Sequence, residues 1–251
     1  LLQGMSTAAA RKPLGISWDE ADGIKQRAVA RGLKRRPAQV MKQLRVDEKH
    51  AGRDLWLTIV SCVDAGRARV VYIGQGRDQA ALDASWETLS EEQLQGIESV
   101  AMDMWEAYAN SVLQHVPGGR QKLVYDRYHV AQQMNKAVDE VRRQEQAGML
   151  GAEAKAMKGT RFWWLSRPDH LPETLQRRFR RVQAVARKTA KAWEFKELLR
   201  AFWDCPDRTT GHAHLRDWLA RALRSALRPV QRVARMCKKH MEHLLTFFAH
   251  R

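Results

Sequence analysis

Two aspartates stand where a metal-dependent phosphoryl-transfer site would need them. Asp103 closes the apolar run Ser99-Val100-Ala101-Met102 and precedes a helix-like stretch from Trp105 to His115; Asp47 sits upstream in Leu44-Arg45-Val46-Asp47-Glu48-Lys49. A lone carboxylate at a strand's end, followed by a helix, is the usual position of a metal ligand in such sites. Paired strands lie only about 4.8 Å apart, so two carboxylates on neighbouring strands can converge on one divalent cation. Carboxylate oxygens are the hard donors that Mg2+ prefers. A further run ends in Tyr125-Asp126-Arg127-Tyr128-His129. Asp126 and His129 are therefore candidates for supporting the metal ligands or contacting DNA, or else for capping a helix and packing. Strand alternation turns Glu48 to the face opposite Asp47, which favours a structural role for it.

The elements that must position these residues read as α/β. Leu55 to Val63 is a buried strand, and Asp64-Ala65-Gly66-Arg67 turns into Arg69-Val70-Val71-Tyr72-Ile73. Gln79 to Gln95 reads as one helix, then come the strand ending at Asp103, the helix 105–115, the turn Pro117-Gly118-Gly119 and the strand Lys122 to Tyr125. Strand, hairpin, helix, strand, helix, strand, helix is the ribonuclease-H-like order, a mixed sheet whose first and fourth strands are neighbours. Those strands carry Asp47 and Asp103.

Upstream, Leu14-Gly15-Ile16-Ser17 has the character of the turn in a helix-turn-helix: glycine permits a left-handed residue and Ser17 can cap the next helix. Ala21, Ile24 and Ala28 fall on one face of that helix, leaving Trp18, Asp22, Lys25 and Gln26 outward; with Pro13 just before the turn, an ordinary amphipathic helix is the alternative. Downstream of His129 helices are expected at 130–146, 153–158, 172–200, 213–226 and 229–250, with loops at Ser166-Arg167-Pro168-Asp169 and Asp204-Cys205-Pro206-Asp207. The resulting division is a DNA-binding segment 1–43, a catalytic core 44–147 and a basic helical region 148–251.

Charge follows the same division. The net charge is +16, but its placement says more. Residues 1–45 hold 10 Lys and Arg against 3 Asp and Glu, residues 46–128 hold 8 against 13, and residues 129–251 hold 26 against 12. An acidic middle between basic arms suits carboxylates that bind cations beside cations that grip phosphates. Three cysteines without close spacing argue against a disulfide framework. The apolar runs are too short for a membrane span, and no secretory signal pattern opens the chain. Cys237-Lys-Lys-His240 with His243, and His212-Ala-His214 near Cys205, have spacings a zinc ion could use, although no second close cysteine pair accompanies them.

Taken together, Asp47-Glu48-Lys49, Met102-Asp103-Met104-Trp105-x-x-Tyr108 and Asp126-Arg127-Tyr128-His129-Val130 resemble the signature boxes of the DDE transposases of bacterial insertion sequences, in the ISL3 family. Lys158-Gly159-Thr160-Arg161-x-Trp163-x-Leu165 and Ala192-Trp193-x-x-Lys196-Glu197-x-Leu199 resemble its helical insertion, and Gly15-Ile16-Ser17-Trp18 with Arg27-Ala28-Val29-x-Arg31-Gly32-Leu33 its helix-turn-helix. The resemblance implies a ribonuclease-H-like core with a large helical insertion and DNA cleavage and strand transfer with Mg2+ or Mn2+. It further implies Asp47 and Asp103 as the first two metal-binding aspartates, Ser17, Trp18, Lys25 and Gln26 as DNA contacts, duplex element ends and target DNA as partners, a homo-oligomer on DNA, and a place at the bacterial nucleoid in the cytoplasm. The family's third carboxylate, a Glu in a Glu-Gly-x-Asn box after the insertion, has no counterpart before Arg251, and the upstream zinc segment has none before Gly15. The sequence is therefore expected to be a fragment. A DNA-binding remnant without catalysis and a nuclease that only hydrolyses are the competing functions.

Overall fold

The computed structural model describes residues 4–35, 39–66, 68–167 and 171–250, so Pro168 and Asp169 of one expected loop and Arg67 of the expected hairpin turn lie outside it. Contacts divide the chain into Leu1–Val40 and Met41–Arg251. In the first unit α1 (Thr7–Leu14) meets α2 (Trp18–Lys34) across Gly15, whose φ of 65° is the left-handed conformation a glycine adopts without strain. Ser17 starts α2 through a reciprocal cap: its hydroxyl accepts from the Glu20 amide at 3.2 Å and its own amide donates to the Glu20 carboxylate at 2.8 Å. The expected apolar face is not buried: Ile24 and Ala28 are exposed, and in these two helices only Ala10 and Ala21 are covered. Eight residues of α1 make a rod of about 12 Å against about 25 Å for the 17 of α2, so the shorter helix shields only the start of the longer one.

The second unit is built on a five-stranded mixed sheet in the order β3-β2-β1-β4-β5, with β1 Gln43–His50, β2 Trp56–Cys62, β3 Arg69–Gln75, β4 Ser99–Met102 and β5 Leu123–Tyr125. β1 and β4 are parallel neighbours, as the sequence order predicts, and β4 and β5 are also parallel. Leu44, Val46, Val60, Cys62, Val100, Met102, Leu123 and Tyr125 bury one face. The helices α3 (Gln79–Trp86) and α5 (Glu106–His115) pack there, joined by the Trp86 indole donating to the Ser111 hydroxyl at 2.9 Å. Between them the single expected helix 79–95 is in fact two, because Ser90 begins α4 (Glu91–Gln95) with its own cap on Gln93. A four-residue helix, α6 (Gly119–Lys122), leads into β5.

Downstream every described element is helical: α7 (Arg127–Ala147), α8 (Gly151–Met157), α9 (Arg161–Leu165), α10 (Glu173–Val185), α11 (Arg187–Ala201), α12 (Arg208–Arg224), α13 (Arg228–Lys239) and α14 (Met241–Leu245), with 3-10 turns at Phe202–Asp204 and Thr246–Ala249. One apolar cluster runs from the sheet through these helices to Leu245. The helix expected over 172–200 breaks at Ala186, whose ψ of 67° is not helical. The cause is tertiary: Glu145 of α7 accepts from the amides of Lys188 and Thr189 at 2.9 and 2.7 Å and from the Thr189 hydroxyl at 2.6 Å, supplying the N-cap that α11 lacks in its own sequence. Glu145→Ala is expected to cost about 1–2 kcal/mol, the upper range for a lost cap, read as a lower denaturation midpoint at unchanged slope. The helix expected over 229–250 likewise turns at His240. No described helix is long and apolar enough to cross a membrane.

Candidate active site

Register alone assembles the site. β1 and β4 pair Leu44 with Val100 and Arg45 with Ala101, while β4 and β5 pair Ala101 with Val124 and Met102 with Tyr125. Continuing both ladders brings Asp47, Asp103 and Asp126 abreast on three adjacent parallel strands, all on the face opposite the α3–α5 layer. The Asp126 amide, donating to the Met102 carbonyl at 2.8 Å, carries the ladder to that point. Asp47 is not at its strand's end, as the sequence suggests. β1 continues to His50 because its other neighbour, β2, pairs with it as far as Trp56.

The three carboxylates share one pattern. In each, Oδ1 accepts a local amide: Glu48 at 3.0 Å for Asp47, Met104 at 2.6 Å for Asp103, and Tyr128 at 2.8 Å for Asp126, the last being the N-cap of α7. Oδ2 then faces an arginine or a histidine. Arg45 lies 3.6 Å from that of Asp47 and 3.2 Å from that of Asp126, and His129 Nδ1 lies 3.6 Å from that of Asp103. Exposure separates their roles, at 45 % for Asp47, 30 % for Asp103 and 17 % for Asp126. The first two are open to an incoming ion, whereas Asp126 is both a cap and an anchor for Arg45. The Arg45 guanidinium thus bridges Asp47 and Asp126 across the row.

Glu48 obeys alternation: it pairs with Thr58, whose hydroxyl lies 2.8 Å from Tyr108 Oη beneath α5. Its carboxyl still senses the row. Burial, then Asp103, then Asp47 push it above its ordinary 4.5. A raised folded value means that this group's favourable contribution is complete below 4.5 and is lost as pH climbs through the folded value. Glu48→Gln is therefore expected to raise Tm at pH 7 in metal-free buffer, by about 2–4 °C for each kcal/mol of repulsion relieved, with no gain at pH 4. A gain of equal size at both pH values would show that repulsion is not the cause.

The donors suit a hard divalent cation in kind, and Arg45 already places positive charge against the row. In number they are a pair: among the described residues no three His, Cys, Asp or Glu side chains group so as to hold a metal. Glu194 pairs with Lys191 and Arg221, Glu197 with Lys196 and Arg200, and Glu242 with Arg120, so these glutamates of the downstream helices are held by their own cations. The zinc spacings do not assemble either. Burial pushes the Cys237 thiol up to about 12, His240 and His243 stand edge-on to Tyr125, and His214 Nε2 is 2.7 Å from the Leu198 carbonyl.

Beside the row opens a cleft of about 600 Å3, which sequence reasoning missed, as it missed Arg45. Alternation could have found Arg45, two residues before Asp47 on the same strand face. The cleft's spacing was visible too, in Lys196, Leu199, Arg200 and Trp203. Ser17, Trp18, Lys25 and Gln26 belong to the other unit. There Trp18 is half exposed, and Asp22 binds both the Lys25 ammonium at 2.5 Å and the Gln26 amide at 2.6 Å, fixing those two side chains side by side.

A family model described as a transposase, that of the ISL3 group of DDE enzymes, matches residues 44–251. No curated protein matches the chain.

Proposed function

Because the chain belongs to the ISL3 family of DDE transposases, a family that processes DNA, we propose that it cleaves DNA and transfers the freed strand at Asp47 and Asp103, with Mg2+ or Mn2+ bound between them. The observation that carries the reading is the pairing itself: two accessible aspartates abreast on adjacent parallel strands. A divalent ion bound there supplies activation of the attacking water or 3′ hydroxyl and stabilisation of the leaving oxygen. The chain's own residues do the rest. The Glu48 and Met104 amides fix Oδ1 of each aspartate and so would hold the two carboxylates in place for an ion. His129 orients the Asp103 carboxylate, and Asp126 draws Arg45 toward the far side of the row.

DNA is gripped elsewhere. Exposed Arg178, Arg180 and Arg181 on α10, with Arg187 and Lys188 at the start of α11, offer a basic surface for phosphates. The pair α1–α2 reads element ends as a helix-turn-helix, with Trp18, Lys25 and Gln26 toward the DNA and Ser17 shaping the helix start. Since two ends must be brought together, two or more copies act on one DNA, at the bacterial nucleoid. The absence of a third carboxylate among the described residues favours a second reading, a DNA-binding protein without catalysis.

One assay separates the two. Supercoiled DNA bearing the inverted repeats that flank the reading frame is incubated with the protein and Mg2+, and nicked and joined products are counted. Products that vanish with chelator and with Asp103→Asn support the transposase; DNA binding with no product under any metal supports the second reading.

A further inference from the structure

We propose that the cleft beside the aspartate row takes one unpaired nucleotide of the DNA substrate, its base against Tyr128 and its phosphate on the Arg127 guanidinium. This rests on the phosphoryl-transfer reading of Asp47 and Asp103 and adds a binding site to it.

Two helix faces build the cleft. Tyr128, Ala131 and Asn135 recur at helical spacing along α7, and Lys196, Leu199 and Arg200 do so along α11, which packs against it, with Trp203 following in the 3-10 turn Phe202–Asp204. Arg45 and Asp126 belong both to the cleft wall and to the row, so whatever fills the cleft lies directly beside the reacting phosphate. A volume of about 600 Å3 falls within the roughly 300–1,000 Å3 of small-ligand sites. The lining fits one class of ligand. Leu165, with Met134 and Leu199 buried beneath, gives an apolar wall for a flat ring, and Arg127 gives a planar cation for phosphate oxygens, whereas Arg200 is already paired with Glu197. Arg127 makes no ion pair among the described residues. Tyr128 is 62 % exposed, its ring perpendicular to that of His129, which leaves phenol surface open to stack. A small anion would meet the cations but leave the apolar wall wet, and an aliphatic ligand would strand the cations; a nucleotide satisfies both.

The test uses two duplexes of the element end, identical except that one base near the cut, 2-aminopurine, is paired in one and unpaired in the other. The protein is expected to bind the unpaired form about tenfold more tightly, the scale of one stacking contact, with its 2-aminopurine emission quenched. Tyr128→Ala should bring the affinity ratio close to one. Ala131→Phe, which fills the cleft from an exposed position and removes no charge, should do the same. A ratio of one for the unaltered protein, or a ratio that survives both substitutions, overturns the proposal. Binding to the paired duplex without preference refutes the cleft alone, whereas binding to neither duplex refutes the DNA reading on which it rests.

Discussion

Asp47→Asn and Asp103→Asn are each expected to abolish measurable DNA cleavage and strand transfer while leaving DNA binding and folding in place. The loss follows from charge. Removing one anionic ligand gives up several kcal/mol of transition-state charge stabilisation, which is about 10^2- to 10^4-fold in rate. Folding should survive, because both side chains are partly exposed, Asn matches Asp in shape, and such surface changes usually stay within about 0.5 kcal/mol. The neighbours give an internal scale. His129→Gln and Asp126→Asn act through ligand orientation and should cost about 10- to 100-fold, and Asn keeps the cap on α7 that Asp126 supplies. Equal losses at all four positions would place the chemistry elsewhere.

DNA affinity is expected to collapse as salt rises. The segment 129–251 carries 26 Lys and Arg against 12 Asp and Glu, and a protein that neutralises 6–10 phosphates loses about 10^3–10^5 in affinity between 50 and 200 mM salt. Arg180→Gln and Arg181→Gln should each flatten the log–log slope by about 0.9 if they touch phosphate. Among the described residues neither pairs with the aspartate row, so their effect should be confined to binding. An affinity independent of salt would mean that the excess positive charge serves solubility alone.

What was legible in the sequence was what local pattern controls. Apolar runs ending in Asp103 and Asp126 gave β4 and β5, and the order of elements gave the parallel contact of β1 with β4. Gly15 and Ser17 gave the α1–α2 turn, since a left-handed glycine and a serine cap act within a few residues. The misses share a different cause. Ala186 breaks a helix that its own sequence would continue, because a carboxylate 41 positions upstream in the numbering, Glu145, caps the next one. Ile24 and Ala28 have the spacing of a buried face but lack a partner long enough to cover it. At the site, Asp126 is the helix cap that the sequence allows, and its second oxygen pairs with Arg45. Arg45 was overlooked because a cation in an acidic segment looks like surface, and its bridging of Asp47 and Asp126 depends on a register that only pairing reveals.

The central claim, that Asp47 and Asp103 hold one cation in common, is tested most directly by Mn2+ binding followed by electron paramagnetic resonance in Asp47→Asn, Asp103→Asn and the double variant. If the ion is shared, each substitution weakens binding by tenfold or more, about 1.4 kcal/mol or more, and the double variant is little worse than either single one, because the second carboxylate has no ion left to hold. Mn2+ bound equally well by the unaltered protein and both single variants would contradict it.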